Sequence, residues 1–280
     1  MKNHFLRLSA LAVFCAPFLV AQPADDTRLK QVVIFGWHGV RSPSVPAAAL
    51  NTLSVLPYPD FGIPLDNVTA NGAADEAILG GYYRLWLTQE GLLTGHDSTD
   101  VNFVYFRPNV AETTTKVTAH AFAAGLLPAA SVPLNLYPQA NDPVFAPVGA
   151  GVALLDQQMA IAAVTGRLGD NPQLLASTYA PELALSRSLL FNYPVSQTPV
   201  PLTPAGKIDV TTIPVSVTAG SPVTLAGLSE VVAAIDPFLM EYADGMPASE
   251  VGWGQRLRAV SARRTGSILW PSIWYTARPI

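Results

Sequence analysis

The chain has 280 residues, a formal charge of −4 and only 13% charged side chains, enough length for one large domain or two with a sizeable core. Lysine and arginine total 16, without the basic face that nucleic acid requires, so nucleic acid is excluded as a partner. One cysteine, and four histidines scattered at 4, 38, 96 and 120, give no metal-ligand spacing, and neither a metal nor another cofactor is expected.

The amino terminus reads as an export signal. Lys2, His4 and Arg7 precede an apolar stretch from Leu8 to Ala21, too short to span a bilayer comfortably. Ala21 and Ala24 offer small residues for cleavage, so residues 1–24 are read as a signal peptide, with an uncleaved anchor as the rival. Cleavage removes Cys15 and leaves a chain with no disulfide and no membrane attachment, periplasmic or secreted. Asn67-Val-Thr69 fits the glycosylation triplet, a pattern that also arises by chance.

Val32–Phe35 is a run of strand formers that ends abruptly in glycines, a histidine, an arginine and a proline. A Pro-rich passage follows over residues 43–64. Thr69 is placed to cap a helix from about Ala70 to Glu90, with Ile78, Leu79, Tyr82, Leu85 and Trp86 along one face. Val101–Phe106 reads as a second strand and Ala111–Leu126 as a second helix. Strand, helix, strand, helix is the order of a parallel sheet with crossover helices. A loop with Pro133, Pro138, Pro143 and Pro147 looks like a boundary. Residues 150–192 read as mostly helical with a break near Gly169–Pro172, residues 194–224 as short strands or an extended return, and Leu228–Asp244 as a last helix ending at Gly245. No internal repeat is evident.

Chemistry in α/β proteins sits where a parallel strand ends at its carboxyl edge, and the loop after Phe35 carries Trp37-His38-Gly39-Val40-Arg41-Ser42-Pro43. A histidine and an arginine three residues apart can address one anion, imidazole as nucleophile and guanidinium as oxyanion clamp. The segment resembles the signature Arg-His-Gly-x-Arg-x-Pro of the histidine acid phosphatases, in the phytase and glucose-1-phosphatase branch. Further segments resemble that family in the same order: Gly80-Gly-Tyr-Tyr-Arg84, Ala121-Phe-Ala-Ala-Gly-Leu-Leu-Pro128, Asp142-Pro-Val-Phe145 with Pro147, and Phe238 to Gly254.

The resemblance implies a phosphomonoester hydrolase working through a phosphohistidine intermediate, with His38 as nucleophile, Arg41 as phosphate ligand and a small phosphate monoester as substrate. It also exposes departures. Trp37 stands where the family has its first arginine, so a guanidinium fork becomes an indole with a single N–H donor. Aligned through Phe122, the family's second phosphate arginine falls on Thr114. The family's late His-Asp pair, which protonates the leaving alcohol, has no counterpart, since no histidine follows His120. His96-Asp97 is a tempting substitute but is read as a loop, at the opposite edge of the sheet from His38. Two lost arginines are worth about 3–6 kcal/mol of transition-state binding, and a lost general acid a further factor of about 10² to 10⁴. Activity is therefore expected to be impaired, and the alternative is a non-catalytic pseudoenzyme that binds phosphate or a partner, or a remnant.

The expected fold is α/β: a parallel-sheet large domain with flanking helices, formed by residues 25–135 and 201–280, plus a small, mainly helical cap over 136–200. The resemblance fades after Gly254, and a full-length relative would continue far beyond. The chain is therefore read as carboxyl-terminally truncated, with an incomplete sheet and an exposed apolar area larger than a monomer normally shows. Arg256, Arg258, Arg263, Arg264 and Arg278 crowd a tail that also carries Trp270, Trp274 and Tyr275. That tail is read either as an out-of-frame extension or as a replacement for missing helices.

Overall fold

The computed structural model describes residues 29–220 and 222–255. The expected signal peptide at 1–24, Cys15 and the arginine-rich tail after Gln255 lie outside the described residues. Contacts divide the chain into one unit ending at Val33 and a second beginning at Ile34. In the first, residues 29–33 carry no regular element.

The second unit holds eight α-helices among the described residues: α1 (Ala47–Leu50), α2 (Ala70–Gln89), α3 (Asp97–Asp100), α4 (Thr113–Leu126), α5 (Gln157–Arg167), α6 (Leu174–Thr178), α7 (Ala180–Leu190) and α8 (Leu228–Ala243). Strands β1 (Ser216–Thr218) and β2 (Thr224–Ala226) form an antiparallel pair, with Val217 opposite Leu225. The class is mixed α/β with a small, incomplete sheet.

The strand expected over Val32–Phe35 does not form, and the second one, over Val101–Phe106, shrinks to a single parallel bridge between Phe106 and Leu134. Strand propensity expresses fit to a pleated surface that neighbouring strands supply. Phe35 is 84% exposed and meets no ladder among the described residues. In the other segment, Asp100 overrides propensity. Its carboxylate accepts from the Thr94 amide and hydroxyl (2.8 and 2.7 Å) and from the Gly95 amide (2.9 Å). The chain is thereby wound into the single turn of α3, and Phe103 N continues that turn by donating to Asp100 O (2.9 Å).

Helix α2 begins as its cap requires: Thr69 Oγ1 accepts from Gly72 N at 2.9 Å. Its packing face differs from the apolar stripe read in the sequence. Ile78, Tyr82 and Leu85 point to solvent, Ile78 at 72% exposure. The face that packs on α4 is built on glycine instead. A Cβ at Gly80 would lie 2.1 Å from Phe122 O, and one at Gly125 would lie 1.8 Å from Ala77 O. Backbones that close leave no room for the larger side chains, which turn outward.

The main core gathers Leu50, Leu53 and Tyr58 with Leu183, Leu190 and Phe191 around α7 and Val231, Ala234 and Phe238 of α8. The Pro-rich passage is thus core-forming between its prolines. Inside α8, Pro237 cannot donate to the carbonyl one turn back, and beside this gap Tyr58 Oη donates to Ala234 O (2.7 Å). A 3₁₀ turn at Val251–Gly254 closes over α8, with Gly252 and Trp253 both left-handed at φ 55°. Trp253 Nε1 donates to Pro57 O (2.7 Å), and its ring packs edge-on against Tyr58 and Phe238. Glu241, fully buried, accepts from Gly252 N (2.8 Å) and holds this turn in place.

Candidate functional site

The loop carrying His38 is fixed from two sides. Ser42 N donates to Asn67 O and Thr69 N to Val40 O, each at 2.9 Å, while Asp66 N donates to Pro43 O (3.0 Å). Ser42 Oγ donates to Pro64 O (2.6 Å), and Arg41 forms an antiparallel bridge with Val68. The chain therefore doubles back on the lead-in to α2. Gly72 lets it lie directly on that helix, since a Cβ there would stand 2.4 Å from Val40 O. From the other side, Gly39 N donates to Thr118 Oγ1 (2.9 Å), and the same hydroxyl donates to Thr114 O (2.8 Å).

This anchoring brings His38 and Arg41 together. Arg41 Nε donates to His38 Nε2 at 3.1 Å, and Trp37 Nε1 donates to the same nitrogen at 2.8 Å. Indole and guanidinium N–H groups are donors only, so Nε2 presents its lone pair. The imidazole proton then sits on Nδ1, 2.9 Å from Gly39 O, to which it donates. The result is an imidazole whose Nδ1 faces a backbone carbonyl and whose Nε2 faces a guanidinium.

Arg41 has further partners. Its Nη2 donates to Asp236 Oδ2 at 3.1 Å, its Nε lies 3.3 Å from Asp66 Oδ1, and its Nη1 donates to Ser42 O at 3.0 Å. Neither aspartate was evident as a site residue in the sequence. Asp236 is 195 positions from Arg41, inside a helix, and only the fold joins them. Asp66 takes a left-handed backbone (φ 55°), a conformation that aspartate tolerates better than most residues. Glu76 is a third carboxyl beside the loop: its Cγ lies 3.0 Å from where a Gly39 Cβ would be. Burial first, and then Asp75, pushes its proton affinity up.

The altered family positions are placed plainly. Trp37 is exposed and stacks at a tilt on His38, with ring centroids 5.5 Å apart. Thr114 lies in the first turn of α4, 2% exposed. Its carbonyl accepts from the Thr118 hydroxyl that also holds the Gly39 amide. Asp97 is separately committed: it pairs with Arg84 and accepts from Ala129 N (2.6 Å), and that amide bond together with Arg84 holds it below the usual carboxylate range. A carboxyl so held is no proton donor near neutrality. Among the described residues no three His, Cys, Asp or Glu side chains group as metal ligands.

No family model matches the chain. Among curated proteins, the phytase AppA of Escherichia coli K12 is 28% identical over 261 residues, which are 89% of this chain and 58% of that protein. A glucose-1-phosphatase of Providencia rettgeri is 30% identical over 171 residues, 59% of this chain and 41% of the relative. The chain thus spans about half the length of the curated relatives it matches. Among solved structures, Hafnia alvei phytase in complex with myo-inositol hexakis sulphate superposes with a TM-score of 0.62 at 28% identity, over 78% of this chain and 53% of that one. The phytase of Citrobacter braakii does so at 0.63 and 27%, over 78% and 54%. Similarity along most of the chain, a shared fold and the His38–Arg41 loop agree: the homologues of this chain are phytases and glucose-1-phosphatases of the histidine acid phosphatase family.

Proposed function

We propose that this is an exported, histidine-type phosphomonoester hydrolase of impaired activity, in which His38 is the nucleophile and Arg41 the phosphate ligand. The observation that carries this reading is the orientation of the imidazole: Nε2 unprotonated, Nδ1–H bonded to Gly39 O, Arg41 Nε 3.1 Å away. His38 Nε2 forms a bond to phosphorus as the ester P–O bond breaks, and the leaving oxygen takes a proton from water. A second water then attacks the phosphohistidine, releasing inorganic phosphate and restoring the imidazole.

Small phosphate monoesters are the substrate class, by similarity to relatives named for phytate and glucose 1-phosphate. The impairment follows from the indole at 37, the threonine at 114 and the commitment of Asp97 to Arg84. Residues 136–200 serve in this reading as the cap beside the site. Export to the periplasm or medium rests on residues 1–24, and among the described residues no helix is long and apolar enough to cross a membrane. A second reading, a non-catalytic relative, is favoured by one observation: Arg41 already faces two carboxylates.

Hydrolysis of p-nitrophenyl phosphate by the purified protein decides between them, because that leaving group needs little protonation. Slow turnover that His38→Ala abolishes is the expected result. Turnover unchanged in His38→Ala, or none in the parent, removes the catalytic reading.

A further inference from the structure

We infer that Asp66 and Asp236 form an internal anion that occupies Arg41 in place of phosphate, making these two carboxylates the determinants of how tightly the site takes its ligand. The inference rests on the reading of Arg41 as the phosphate ligand. A phosphoryl group needs the outward N–H edges of the guanidinium, in the bidentate geometry that arginine offers. In this fold Asp236 Oδ2 accepts from Nη2 at 3.1 Å, Nη1 is turned back to Ser42 O, and Asp66 Oδ1 lies 3.3 Å from Nε as an ion pair beside the N–H that Nε gives to His38.

Two negative charges against one positive leave the cluster with a net charge of −1, and Glu76 adds a carboxyl nearby. With an indole at 37 and a threonine at 114, nothing at these positions offsets them. The arginine side chain is 11% exposed and Asp236 26%, so that pairing is worth more than on an open surface, whereas Asp66 at 41% is more strongly screened by water. An incoming phosphate must therefore displace carboxylates of its own charge before it meets the guanidinium. The backbone of Asp66 supports a dedicated role. It is held at φ 55°, a left-handed conformation open to glycine and aspartate, and this turn aims the carboxylate at Arg41.

Inorganic phosphate titrated into the purified full chain by calorimetry tests this. Asp66→Asn removes the charge and keeps an acceptor; Asp66→Gly removes both in a conformation that glycine favours; Asp236→Asn is combined with each. Each single variant should bind phosphate more tightly than the parent. The double variants should gain about tenfold to hundredfold, the range that freed charge-assisted hydrogen bonds command. Adding Arg41→Ala to a double variant should erase the gain, a dependence that a merely structural aspartate would not show. Folded double variants that bind no better than a parent whose own binding needs Arg41 overturn the internal anion and leave the proposed function standing. Phosphate bound by none of the folded proteins overturns both.

Discussion

At the scale of single residues, Glu241 carries the clearest dependence on pH. Burial pushes its carboxyl up to about 7, and Glu250 adds to this against the opposing Gly252 amide bond. One of its oxygens, Oε1, has no hydrogen-bond partner among the described residues. Below about pH 4 the group is protonated whether the chain is folded or not, and no pH-linked cost arises. Between there and about pH 7 the unfolded chain ionises while the folded one keeps its proton, so stability falls as pH rises and levels off above. The loss is on the order of 3 kcal/mol. Glu241→Gln should flatten this slope and raise the urea midpoint at pH 7 relative to the parent, with little change at pH 4. An unchanged slope would place the linkage elsewhere. Trp37→Arg tests an anomaly at the surface. It returns a fork beside His38 and should tighten phosphate binding about tenfold or more, read by calorimetry.

At the scale of elements, the contact between α2 and α4 depends on two glycines more than on apolar burial. Gly125→Ala puts a methyl group 1.8 Å from Ala77 O, which only separation of the helices can relieve. Overpacking of this kind costs about 1–3 kcal/mol, and a backbone collision falls at the upper end. Chemical unfolding of the variant measures it. The same contact shows what the sequence made legible. Helix α2 with its Thr69 cap, α4, the interrupted helices of 157–190 and α8 were readable because caps, glycines and prolines act within a few residues. The direction in which α2 faces was not. An apolar stripe says that a face is sticky, while a glycine pair says where two backbones meet, and here the latter decides. The strands at 32–35 and 101–106 were overread for the converse reason, since a strand exists only with its neighbours. His38 and Arg41 were visible as a motif four residues long. Asp66, Asp236 and Thr118 were not, because each reaches the site through the fold from a segment with no chemical pattern of its own.

At the scale of the molecule, the described surface carries large apolar side chains in unusual number. Ile78, Tyr82 and Leu85 follow one another along one side of α2, and Phe103 and Tyr105 are equally bare. Exposed apolar patches of this kind favour self-association. Ile78→Lys combined with Leu85→Lys should leave the unfolding free energy within about 0.5 kcal/mol of the parent and lower the sedimentation coefficient at high concentration. A marked loss of stability would mean that these side chains are covered in solution.

The bond from Gly39 N to Thr118 Oγ1 also has a temporal reading. The core around α7 and α8 joins residues near 50 to residues beyond 180, whereas the loop of His38 is tied to α4 by one threonine hydroxyl. Proteins open in parts, each with its own free energy. Solvent deuterium should therefore reach the Gly39 amide as often as α2 and α4 separate, however slowly the amides of α8 exchange. Thr118→Val should bring that one amide to the rate of a surface loop while the α8 amides keep theirs. Exchange at a single backbone nitrogen thus becomes a clock for how long His38 stays aimed at Arg41.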